Sequence, residues 1–89
     1  MNTYLITYSD QLGTQEAVAK VIDNISEIAD WRYDMQNCIY LKSMYSAVYL
    51  AEKIREKIPK GRFIIADISN NSMRNGYLTP ETWNFIKNK

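Results

Sequence analysis

An 89-residue chain with 46% hydrophobic and 24% charged residues has the size of one domain with one core, and its composition is not that of a disordered segment. Eleven basic against ten acidic residues leave a formal net charge of +1, so binding to nucleic acid or an anionic membrane would need a local patch. There is no histidine and one cysteine, Cys38, which removes the commonest metal ligand and general base and any internal disulfide. The chemistry left is that of carboxylates, Lys, Tyr or a hard oxygen-bound cation. No charged leader with an apolar stretch and no bilayer-length apolar run is evident, so the expected location is the cytoplasm.

Along the chain, "TYLITY" is β-branched and aromatic, a strand signature. Leu12-Gly13-Thr14 breaks it, and Thr14 is placed to cap a helix with Glu16 in its first turn. Ala17, Val18, Val21, Ile22 and Ile25 then recur at helical spacing. In "EIADWRYDMQ", Trp31, Tyr33 and Met35 alternate with Asp30, Arg32, Asp34 and Gln36, which predicts a half-exposed strand. "CIYLKSMY" resumes the pattern after a short connection near Asn37-Cys38, predicting an antiparallel hairpin over 31–42. Ser46 opens a second helix whose stripe is Ala47, Leu50, Ala51, Ile54 and Ile58, ended by Pro59-Lys60-Gly61. "RFIIADIS" reads as a last strand, 70–76 as a polar loop, and Thr79-Pro80-Glu81 as the start of a helix that turns Trp83 and Ile86 inward.

The expected fold is α+β: a ferredoxin-like βαββαβ antiparallel sheet over residues 1–89, two helices on one face and a short C-terminal helix added. Tyr4, Tyr8, Trp31, Tyr33, Tyr40 and Tyr45 are then assigned to the other sheet face, more aromatic surface than one such face exposes. This predicts cover by the terminal helix or by a second copy, hence a homodimer through the sheet or its edge.

"TYLITYSDQ", "DWRYDMQNCIYLKS", "RFIIADIS" and "NGYLTPETWNFIKN" together resemble the small SinR-like proteins of bacteria and phages. These are similar in shape to the CRISPR-associated spacer-integration protein and to virulence-associated protein D, both ferredoxin-like homodimers. The resemblance implies an acid at the end of the first strand, associated in some members with metal-dependent nuclease activity. Here the strand ends Tyr8-Ser9-Asp10 where the family pattern is Tyr-Asp, a one-residue displacement that turns the acid toward the opposite face.

Asp10 is therefore weighed as a turn residue against a ligand for Mg2+ or Mn2+ in a ribonuclease or nucleic-acid-binding protein, and the turn is preferred. Asp30 and Asp34 read as a solvated strand face, and Asp67 as a carboxylate that pairs with Arg32 or Lys42 or lies on an edge. Tyr4, Tyr8, Trp31, Tyr33, Tyr40 and Tyr45, with Arg32 and Lys42 nearby, are read as core packing or subunit contact ahead of a base-stacking platform, and Arg74 marks a loop able to meet an anion or a partner. Cys38 has no partner for nucleophilic or zinc chemistry. The expectation is a non-catalytic interaction or regulatory module without cofactor, acting through protein contacts as a homodimer, with another protein as a candidate further partner. Nucleic acid is the less favoured partner, and no membrane is involved.

Overall fold

A computed structural model describes residues 1–88. Four strands, β1 (Asn2–Tyr8), β2 (Ile28–Arg32), β3 (Cys38–Ser43) and β4 (Phe63–Asp67), form one sheet in the order β2-β3-β1-β4 with every neighbouring pair antiparallel. Three helices, α1 (Gln15–Asp23), α2 (Ala47–Lys57) and α3 (Pro80–Lys87), complete a mixed α+β fold. None of the helices among the described residues is long and apolar enough to cross a membrane.

The helix starts follow from local chemistry. Thr14, Ser46 and Thr79 each accept a backbone N–H three residues on, from Ala17, Tyr49 and Thr82, and Pro80 occupies the first turn of α3, where a missing N–H costs nothing. Gly61 has φ +78°, and a Cβ there would meet the Leu12 backbone nitrogen at 2.6 Å, so only glycine fits the turn into β4. Arg55 closes the end of α2 by donating to the Ile58 and Gly61 carbonyls (3.2 and 2.7 Å).

Register fixes the two faces. Tyr4, Ile6 and Tyr8 of β1 stand beside Leu41 and Ile39 of β3 and beside Ile65 and Phe63 of β4. This face carries the core, filled by Val18, Ala19 and Ile22 of α1 and by Leu50 and Ile54 of α2. Burying such a Leu or Ile is worth roughly 1.5–3 kcal/mol. The opposite face presents Thr3, Leu5 and Thr7 with Lys42, Tyr40 and Cys38, and with Ala66 and Ile64. Over Tyr40 and Lys42 lies α3, whose Thr82 and Ile86 are buried.

Two expectations change here. The aromatics do not share one face: Tyr4 and Tyr8 are core, Tyr40 lies beneath the C-terminal segment, and Tyr33 and Tyr45 are outside the strands. The phase of β1 is set by its register with β3 rather than by its own residues, which are apolar or aromatic on one side and only mildly polar on the other. The strand β2 spans Ile28–Arg32 with a bulge between Ile28 and Asp30, so Tyr33, Asp34 and Met35 belong to the loop before β3. That loop's backbone is taken by other elements: Gln15 donates to the Met35 carbonyl and accepts from the Asn37 N–H, and Asn37 sits at φ +60°. Of the two readings of Asp67, the edge position holds: it is exposed on the edge strand and accepts the Ser69 N–H (2.8 Å) in a local turn rather than pairing with Arg32 or Lys42.

Candidate interaction surface

Asp10 leaves β1 in a single 3-10 turn, Asp10–Leu12, whose carbonyl accepts the Gly13 N–H. Its carboxylate accepts one bond, from the Asn37 side-chain amide (2.9 Å). The same amide donates to the Tyr8 carbonyl (2.8 Å), while the Asn37 carbonyl accepts the Tyr8 N–H (3.1 Å). Tyr8 in turn donates its hydroxyl to Gln15 Oε1 (2.5 Å). Burial, reinforced by nearby Cys38, Glu16 and Tyr33, pushes the Tyr8 phenol up to about 12. The cluster pins the β2–β3 loop to the end of β1. Asn37 is its hub, and its one signal in the sequence was the Asn-Cys turn pattern. Among the described residues, no three carboxylates or cysteines converge.

The second candidate area is the sheet face under α3. Lys42 and Tyr40 are buried there: the Lys42 ammonium stands over the Phe85 ring (4.7 Å) and donates to the Asn88 carbonyl. Arg32 donates to the buried Thr82 hydroxyl (2.9 Å), and the Asp34 carboxylate accepts the Thr79 N–H (3.1 Å). That backbone bond holds the Asp34 carboxyl below its ordinary range. Arg74 donates to the Ile68 and Ser69 carbonyls (2.7 and 3.1 Å), fastening its own loop. Trp31 and Tyr33 stack on each other (5.8 Å between centroids), and the Trp31 indole donates to Asp23. Thus Tyr8, Tyr40 and Lys42 are occupied within the chain, while Tyr33 stays exposed at the hairpin end.

The open surface lies elsewhere. A groove of about 830 Å3 runs between α2 and β4, its apolar lining of Ala47, Val48, Ala51, Phe63, Ile64 and Ile65 bordered by the charged Glu52, Arg55 and Glu56. Val48 is 70% exposed and Ile64 64% exposed, large values for apolar side chains, and both line this surface from different sides of the β4 edge. Beside it β4 is an edge strand, paired with β1 alone among the described residues. Two bonds give the direction of its peptide groups: Ser9 N–H donates to the Arg62 carbonyl (2.9 Å), and Ile68 N–H donates to the Thr3 carbonyl (2.9 Å). Antiparallel strands alternate, so the even-numbered groups face β1 and those of Phe63, Ile65 and Asp67 face outward. An apolar run in "RFIIADIS" reads alike for central and edge strands, which is why the expectation of contact through the sheet or its edge did not single out β4.

Comparison of the chain with protein-family models, with curated proteins and with solved structures returns no match.

Proposed function

We propose that this protein is a non-catalytic interaction module that works through protein contacts as a homodimer. The observation that carries the reading is the open β4 edge with an exposed apolar groove beside it, since an unprotected edge strand is a template for pairing with another chain. We read the βαββαβ succession with α3 appended as the ferredoxin-like arrangement; the order β2-β3-β1-β4, antiparallel throughout, with α1 and α2 on one face, supports this. The engagement of Asp10 by Asn37 favours protein contact over metal-dependent cleavage. Light scattering at tens of micromolar should give about twice 10.4 kDa; a mass of one chain overturns the reading. Affinity capture from the native cell, with and without nuclease treatment, then tests the class of any further partner: loss of the captured species on nuclease treatment would favour nucleic acid.

A further inference from the structure

The β4 edge is self-complementary about one residue, Ile65. We propose that two copies pair their β4 strands antiparallel across a two-fold axis at Ile65, making one continuous sheet; this rests on the homodimer reading above and gives it a register. The outward peptide groups are those of Phe63, Ile65 and Asp67, so an axis at Ile65 sets each against a group of the same kind. Phe63 pairs with the partner's Asp67, Ile65 with the partner's Ile65, and Asp67 with the partner's Phe63, all as hydrogen-bonded pairs.

Side chains and charge agree with this register. Phe63, Ile65 and Asp67 share the helix side of the sheet, because they stand opposite Tyr8, Ile6 and Tyr4. The Arg55 guanidinium lies over the Phe63 ring, 5.2 Å from its centroid. Pairing Phe63 with the partner's Asp67 therefore brings an exposed carboxylate beside a guanidinium, twice, once on each side of the axis. On the opposite side Ile64 would meet the partner's Ala66, covering the most exposed apolar residue of the strand with a small one. Sliding the strands by two residues breaks both matches: it moves Asp67 away from Arg55 and sets Ile64 against itself or a more distant residue. The α2 helices would flank the seam, and the groove that Val48 leaves open would be closed from both sides.

Disulfide trapping tests the register in a Cys38→Ser background. Cα atoms of a hydrogen-bonded antiparallel pair are ~5.5 Å apart, inside the range a disulfide spans. Ile65→Cys should therefore cross-link to itself in mild oxidant. A mixture of Ile64→Cys and Ala66→Cys should cross-link as a mixed dimer, while neither variant alone does, because like residues would be more than ~7 Å apart. These last two positions are exposed, so they report even where Ile65→Cys folds poorly. Ile64→Lys should abolish the doubled mass in light scattering with the circular dichroism unchanged. A dimer by light scattering that gives neither cross-link overturns this register and leaves the homodimer standing. A monomer overturns both.

Discussion

Asp10 shows how a single bond separates two roles. Its carboxylate has one partner, the Asn37 amide, and that amide also grips the Tyr8 carbonyl at the end of β1. The arrangement needs an acceptor at position 10 and no charge. Asp10→Asn keeps an acceptor oxygen and should leave stability within about 0.5 kcal/mol of wild type. Asp10→Ala removes it and should cost about 0.5–1.5 kcal/mol in urea unfolding, the ordinary worth of one hydrogen bond. Function distinguishes the roles further. Assayed on single-stranded RNA and double-stranded DNA with Mg2+ or Mn2+, neither wild type nor Asp10→Asn should cleave. Cleavage by wild type that vanishes in Asp10→Asn would make the acid a ligand and defeat the interaction-module reading.

At the scale of elements, α3 is a cover fastened by a few polar bonds. Asp34 accepts the Thr79 N–H and Arg32 donates to Thr82, so both fasten the first turn of α3 to the end of β2 and its loop. The Asp34 carboxyl is held below its ordinary value, first by the Thr79 backbone bond and more weakly by the Thr82 and Thr79 hydroxyls and Arg32. For a lowered carboxyl the stabilisation is present above the unfolded pKa and is lost as pH falls through the folded one. Acidification below about pH 4 should therefore loosen α3 before the sheet melts, shifting the Trp83 indole resonance in NMR. Asp34→Asn should remove that pH step. Glu27, also lowered, bonds Tyr49 at the start of α2 and would move signals there instead. The same elements show what the sequence made legible. Thr14, Ser46 and Thr79 act on N–H groups three residues away, so helix starts could be read directly. The end of β2 could not, because Gln15 and Thr79, far along the chain, are what hold residues 34–37 as a loop. Nor could the face of the β1 aromatics, which depends on register with β3.

For the whole molecule the two sheet faces are unequally closed. One carries a continuous core under α1 and α2, while the other is covered by α3 on the β3 side and left open at Ile64 and Ala66 on β4. An edge strand's position depends on the order of all four strands, which no local run of residues encodes, so the candidate surface was the part of the protein least readable in advance. The proposed dimer would tie the unfolding equilibrium to concentration. If unfolding separates two copies, stability grows by RT ln of the concentration, about 1.4 kcal/mol per tenfold. With an unfolding entropy of about 2.1 cal/mol/K per residue counted over both chains, a hundredfold rise in protein should lift Tm by roughly 7 °C. Ile64→Lys should lie near the low-concentration value and show no such rise, because the lysine places a charge in the seam without disturbing the core. Calorimetric scans from one to one hundred micromolar make the comparison. A wild-type Tm that stays constant across that range would mean that the folded chain stands alone, and the β4 edge would then need another protector.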